Sequence, residues 1–302
     1  MGVWRDMPVE ALEQQYSPSR WSPRLDSEAV IQAHLEATAA GTQRARAGAQ
    51  TSLHVPYGDG DREKLDIYFP AEPAGAFPAL VYIHGGYWQC LSKDESGFAA
   101  PPLVSQGVAV VALGYDIAPK GHMDAMVLQV RRSLAFLVRR YSRIRGLYLC
   151  GHSAGAHLAA MVLATDWTEY GVVPDIKGAV LVSGVYDLEP ILHTYVNDAL
   201  NMSRKPEPQA LATPTPPGRL VRTAEDAGVR GLSLRCLLQG GGPEEQPHAL
   251  HPLSSAHVLR GTCGCGPARL PRVPQAVAGV WPGPACCRLV RLPAGSRGRG
   301  SL

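Results

Sequence analysis

The sequence predicts an α/β protein with a mostly parallel central sheet covered by helices on both faces, and three observations carry that prediction. First, uninterrupted apolar runs of strand length recur: ALVYIHG (79–85), VAVVALGY (108–115), LYLCG (147–151) and GAVLVSGVY (178–186). Strands that are apolar at every position are buried on both faces, the signature of parallel sheets. Second, helical patterns fall between them. Met123–Tyr141 places Met126, Val130, Leu134, Leu137 and Val138 on one face and Arg131, Arg132, Arg139 and Arg140 largely on the other,. Residues 154–164, AGAHLAAMVLA, form a small-residue helix able to lie close on a sheet. Third, this alternation stops near residue 203, so the prediction concerns the first two-thirds of the chain.

The elements follow in order. Pro8–Tyr16 reads as a short helix, with Asp6 as cap and Pro8 in the first turn, where a missing N–H costs nothing,. Asp26 and Ser27 cap a longer, Ala-rich helix, EAVIQAHLEATAAGTQRARA, whose basic end suits a helix C-terminus,. The period then changes to two. Ser52–Pro56 and Lys64–Phe69 alternate as strands around the turn-rich Tyr57-Gly58-Asp59-Gly60, a hairpin-like opening,. We therefore divide the chain into an N-terminal helical segment (1–50), a core (51–202) and a tail (203–302).

The tail differs in kind. It holds none of the four Phe or eleven Tyr and no Ile, Asn or Met, but 14 Gly, 14 Pro, 12 Arg and five of the seven Cys. It carries 13 basic and 5 acidic residues against 16 and 21 before it, so the overall charge of +3 describes neither part. Such composition without a period is that of a disordered, low-complexity segment. The missing types use AT-rich codons and the abundant ones GC-rich codons, as when a GC-rich region is read in another frame. Strands after 178–186 are accordingly expected to be missing, leaving that strand as an exposed edge. No run approaches the ~20 apolar residues of a membrane span. The N-terminus lacks the build of a signal peptide, and Cys90 and Cys150 read as reduced core or near-core thiols, so a cytosolic protein is expected,.

Two motifs carry chemistry. Gly151-His152-Ser153-Ala154-Gly155 is a G-x-S-x-G elbow, entered by an apolar strand and left by a small-residue helix,. A serine hydroxyl there needs a base for its proton and donors for the developing oxyanion. His84-Gly85-Gly86-Tyr87-Trp88 ends the strand 79–85. Its glycines, Gly85 and Gly86, can turn backbone N–H groups toward a substrate carbonyl, making an oxyanion hole with the N–H of Ala154. His84 is expected to orient its own loop by hydrogen bonding rather than to serve as base. Tyr87 and Trp88 suit either stacking on an aromatic substrate or core packing. His152 and His157 read as structural.

The body resembles the arylformamidase (kynurenine formamidase) family of the α/β-hydrolase superfamily. The resemblance lies in EQQYSPSRW (13–21), HVPYGDG (54–60), HGGYW (84–88), SKDES (92–96), YDIAPKG (115–121), YLCGHSAGAHLAAM (148–161) and SGVYDLEPI (183–191). It runs from about residue 8 to 202. It implies an α/β-hydrolase fold, Ser153 as nucleophile, the HGGYW loop as oxyanion donor, no metal and no cofactor. It further implies hydrolysis of N-formyl-L-kynurenine to L-kynurenine and formate in tryptophan breakdown, a homodimer, and a cytosolic or nuclear location.

The family's base is a His late in the domain, oriented by an Asp after a later strand. Neither has a counterpart here, since His248, His251, His257 and Asp226 sit in stretches without strand or helix pattern. Asp187 belongs to the SGVYDLEP motif and reads as structural. A chain lacking base and orienter is expected to be an impaired or inactive form that expresses poorly. Two other readings stand beside this one: a short-acyl carboxylesterase using the same elbow, and a non-catalytic binder whose basic end, RLPAGSRGRG, contacts nucleic acid. The tail's single aromatic, Trp281, argues against the last, so neither nucleic acid nor membrane is expected as a partner,.

Overall fold

In the computed structural model the described residues are 3–71, 75–203 and 287–291. They form a seven-stranded sheet in the order β1-β2-β4-β3-β5-β6-β7. The strands are β1 (Gln50–Pro56), β2 (Lys64–Phe69), β3 (Phe77–Ile83), β4 (Ala109–Leu113), β5 (Ile144–His152), β6 (Ile176–Val182) and β7 (Cys287–Arg291). The pairs β3–β4, β3–β5 and β5–β6 are parallel, with Val81 opposite both Val111 and Leu149. The opening hairpin β1–β2 is antiparallel and joins the sheet through β2–β4.

The helices are α1 (Val9–Gln15), α2 (Ser27–Gly48), α3 (Ala100–Val104), α4 (Met123–Arg140), α5 (Ala154–Leu163) and α6 (Asn197–Leu200). Four of them, α1, α2, α4 and α5, lie where the sequence places them, and the short α3 and α6 are additions that its patterns do not announce. Asp26 caps α2 by accepting from the Ala29 N–H at 2.8 Å. One cap differs from expectation. Pro8 itself takes the N-cap position of α1, while Asp6 ends a separate 3₁₀ turn, Val3–Asp6. The rigid φ of Pro8 suits either position, and no side-chain cap bond forms there,.

Two apolar layers hold the sheet. Met126, Val130, Leu134 and Leu137 of α4, with Leu158 and Val162 of α5, bury against Ile67, Val81, Val111 and Leu149. Ala45 of α2 and Ala100 and Leu103 of α3 cover Tyr68, Val110 and Ala112 on the other face. That second layer spans β2 and β4 and stops short of β5, where Tyr148 is 39 % exposed.

The far edge departs from the sequence reading. β6 ends at Val182, four residues earlier than expected, because Ser183 turns with φ 49°. Its edge is not bare: β7 pairs with it antiparallel, Gly178 opposite Arg291 and Val182 opposite Cys287. An apolar edge of unpaired N–H and C=O groups accepts any strand of suitable pattern, and Arg-Leu-Val-Arg is one. The expectation of a tail without strands is corrected at these five residues; LRCLL (234–238) and the rest of 204–302 lie outside the described residues. Cys90 is also corrected, being exposed, whereas Cys150 is buried.

A buried carboxylate ties the β1 side of the fold together. Asp66 on β2 is fully buried and accepts from Lys93 Nζ at 2.9 Å, Arg46 of α2 at 3.0 Å and the His54 N–H at 2.8 Å. His54 has φ 56° at a register shift in β1, so the carboxylate satisfies an N–H that the ladder leaves unpaired,. Removing one partner strands the rest. Asp66→Ala is expected to lower the unfolding free energy by about 3 kcal/mol or more, with Asp66→Asn, which keeps an acceptor, falling between. Urea denaturation followed by circular dichroism checks this; an alanine variant as stable as the parent would refute it.

Candidate active site

Ser153 stands where β5 gives way to α5, and its backbone is strained. Its φ of 53° and ψ of −118° lie in a region that side-chain-bearing residues occupy at a cost of about 1–3 kcal/mol,. The turn is held by a bond from the Ser153 N–H to Val182 O at 2.8 Å and by the Ala156 N–H on Ser153 O at 3.0 Å. The flanking glycines are steric requirements. A Cβ on Gly151 would overlap the Gly155 carbonyl, and one on Gly155 would overlap the carbonyls of Ile83 and His84. The elbow thus brings α5 against the end of β3.

That approach joins the two motifs. A Cβ on Gly85 would lie 2.8 Å from His152 O and 3.1 Å from Ser153 Cβ, so the first glycine of His-Gly-Gly adjoins the serine. Gly86 has φ 94°, and its carbonyl accepts from the Gln89 and Cys90 N–H groups, both at 2.9 Å. Tyr87 and Trp88 also take positive φ, 49° and 59°. The N–H groups of Gly85, Gly86 and Ala154 have no acceptor among the described residues. Ala154 opens α5, and the first N–H groups of a helix have no partner inside it,. Ser153 is partly buried, with Gly85 against it on one side and Ala154 following it in the chain.

The remaining motif residues anchor the loop. His84 is 2 % exposed, stacks on Tyr115 at 4.2 Å between ring centroids, and places Nδ1 3.0 Å from Gly85 O. The Tyr115 hydroxyl donates to His84 O at 2.8 Å. Trp88 is fully buried, edge-on to His157 at 5.5 Å, which decides for core packing at that position. Tyr87 is partly buried, and its hydroxyl donates to Tyr16 O at 2.9 Å. The Gln89 side chain donates to Val196 O at 2.6 Å. These contacts, together with Ser17 Oγ to the Tyr195 hydroxyl at 3.0 Å, lace the N-terminal segment and residues 195–196 to the loop. No short-range pattern announces such links across 71 to 178 positions.

The histidines around the serine are held neutral. Burial pushes His84 and His157 down to about 4, and burial with the neighbouring His34 does the same to His152. His34 of α2 reaches the elbow, its ring 6.2 Å from that of His152, a proximity the sequence does not show. Among the described residues no side chain is hydrogen-bonded to Ser153 Oγ. Asp187 lies in a local turn, accepting from the Glu189 N–H at 3.2 Å, and burial raises its pKa. Asp226, His248, His251 and His257 lie outside the described residues. As to metals, His54, Asp66 and Asp94 bring ligand atoms within 4.8 Å of one another. The Lys93 ammonium stands among them, 2.9 Å from both carboxylates, and already supplies the positive charge.

Known proteins share this architecture. A family model described as BD-FAE matches residues 65–203. Kynurenine formamidases of Danio rerio and Salmo salar are 61 % and 60 % identical to the chain over 205 residues, which cover 68 % of this chain and 70 % of each relative. An isoprenylcysteine alpha-carbonyl methylesterase of Arabidopsis thaliana is 30 % identical over 51 % of this chain and 39 % of that one. Among solved structures, a putative thioesterase from Silicibacter superposes with a TM-score of 0.54 at 28 % identity, covering 64 % of this chain and 70 % of that one. No helix among the described residues is long and apolar enough to cross a membrane.

Two outcomes follow from this geometry. Gly155→Ala is expected to destabilise the fold or prevent its recovery in soluble form, since the new methyl meets backbone rather than a movable side chain; Gly171→Ala, in open space but at φ 62°, is expected to cost less. A pH series addresses the histidines. His84 and His157 have folded-state pKa values of about 4 against 6.5, so between those values the unfolded chain binds more protons. Stability is thus complete above about pH 6.5 and falls as the pH drops toward 4. Urea melts at pH 7 and pH 5 test it, and His157→Leu is expected to flatten the slope.

Proposed function

The chain belongs to the kynurenine formamidase family of α/β-hydrolases, and from that premise we propose that it is a serine hydrolase acting on the formamide bond of N-formyl-L-kynurenine. In this reading the Ser153 hydroxyl attacks the formyl carbon, and the carbonyl oxygen takes up negative charge facing the N–H groups of Gly85, Gly86 and Ala154. Collapse of the tetrahedral adduct breaks the C–N bond; the leaving nitrogen gains, by way of water, the proton that Ser153 gives up, so L-kynurenine departs as the aryl amine and Ser153 is left formylated. Water then attacks the formyl ester, giving formate and free serine. The observation that carries the reading is the strained φ/ψ of Ser153 beside Gly85. Strain of this kind collects at functional sites, which supports reading Ser153 as the reacting residue.

The same geometry supports a finer proposal, that this chain works far below the rate of a complete enzyme. Attack requires removal of the serine proton, and among the described residues no imidazole is bonded to Ser153 Oγ. Loss of base and orienter costs on the order of 10⁶ in turnover, with roughly 10³–10⁴ over water retained by oxyanion donors and binding. The purified chain is therefore expected to release formate from N-formyl-L-kynurenine slowly. A rate typical of efficient enzymes that Ser153→Ala abolishes would overturn the impairment while upholding the nucleophile.

Likeness to a methylesterase and a putative thioesterase favours one alternative, a short-acyl esterase. Comparing N-formyl-L-kynurenine with p-nitrophenyl acetate separates the two. A formamide preference supports the formamidase reading, and ester turnover alone refutes it.

A further inference from the structure

A cavity of about 320 Å³ opens on the β1–β2 side of the oxyanion loop, walled by His54, Arg62, Lys64, His84, Lys93 and Asp94. Its size sits at the lower end of the ~300–1,000 Å³ typical of small-molecule sites. His84 is the partition: the residue after it, Gly85, adjoins Ser153, while the His84 ring lines the cavity.

The charges around this space do not cancel. Lys93 and Arg46 are taken by Asp66 and Asp94 at 2.9–3.0 Å. Asp61 is paired with Lys120 at 3.1 Å, and Glu63 with Arg132 at 2.7 Å. Asp116, next to Tyr115, turns its carboxylate to the Gln129 amide at 2.8 Å. Arg62 and Lys64 are left without a carboxylate within ion-pair distance among the described residues. Arg62 makes one bond, to Leu91 O at 3.3 Å, which leaves most of its five-donor fork free,.

His84, one of the lining residues, also carries an unused acceptor. His84 Nδ1 faces the Gly85 carbonyl, which only accepts, so the ring proton resides on Nδ1,. Nε2 is then a bare lone pair, buried and without a partner among the described residues. A buried acceptor left unsatisfied costs about 1–3 kcal/mol, which a ligand donor would recover.

We propose that this cavity binds a small carboxylate that also carries an N–H or O–H donor, its carboxylate on Arg62 and Lys64 and its donor toward His84 Nε2. The site is separate from the Ser153 reading and stands whether or not the chain hydrolyses a formamide. Occupancy would fix the ring that supports Gly85, so the ligand and the oxyanion loop share one residue.

Isothermal titration of the full-length chain tests this with three probes: glycolate, acetate, which lacks the donor, and glycolamide, which lacks the charge. Glycolate is expected to saturate below about 10 mM, acetate to bind more weakly, and glycolamide not at all. Arg62→Met with Lys64→Met, exposed or partly exposed positions whose loss spares the core, is expected to weaken glycolate about tenfold or more,. Ser153→Ala is expected to leave it unchanged. No saturation by glycolate, equal binding of acetate, indifference to the Arg62/Lys64 change, or loss on Ser153→Ala would each overturn the proposal.

Discussion

The structure depends on how closely α5 approaches the ends of β3 and β5. Gly151, Gly155 and Gly85 leave no room for a methyl group between the elbow, the Ile83–His84 carbonyls and the His152 carbonyl. Backbone packed on backbone at that distance leaves Ser153 one way round the corner, the strained φ of 53° and ψ of −118°. The strain persists because what flanks it is over-determined. Leu158 and Val162 of α5 are buried against the sheet, and the Ser153 N–H is fastened to β6. A cost of about 1–3 kcal/mol is small beside several fully buried aliphatic side chains at about 1.5–3 kcal/mol each. The same closeness sets Gly85 beside the serine, so one steric constraint joins the two glycine motifs.

Electrostatics divides the sheet's edge into two regions on either side of His84. Toward Ser153 lie backbone N–H groups and neutral imidazoles, a site with dipoles but no fixed counter-charge. Toward β1 and β2 lie Asp66, Lys93, Arg46 and Asp94, a buried ion cluster whose partners come from α2, the β1 bulge and the loop after His-Gly-Gly. The cluster fixes the far end of that loop at Lys93 while the Tyr87 hydroxyl and the Gln89 amide fix its middle. A loop with positive φ at Gly86, Tyr87, Trp88 and Leu91 needs such external ties, since its own backbone preferences oppose the shape,.

What was legible in the sequence was whatever is governed by local period or short-range sterics. The four buried strands, α2, α4 and α5, the β1–β2 hairpin and both glycine motifs follow from spacing alone, and the structure puts those motifs side by side. Features set by distant partners were not legible. Nothing local marks Asp66 as the centre of an ion cluster, because alternation in KLDIYF assigns it a face without naming Arg46 or Lys93. Trp88 was ambiguous for the same reason: its burial against His157 is decided by α5, 69 positions away. β7 escaped notice because five residues in a Pro- and Gly-rich context carry no period; the edge of β6 selects them.

The elbow and the outer layer of the sheet are built from different parts of the chain. The backbone contacts that shape the elbow lie between Ile83 and Val182, within the span of the matched family model, whereas the His-Gly-Gly loop is also tied to Tyr16 and Val196. The form of the elbow is thus fixed by the ends of β3, β5 and β6 and the start of α5. The second helical layer reaches β3 through Leu80 and stops short of Tyr148 on β5, which is 39 % exposed. Because the elbow is held by backbone contacts and the outer layer by side chains of α2 and α3, a substitution in one need not disturb the other.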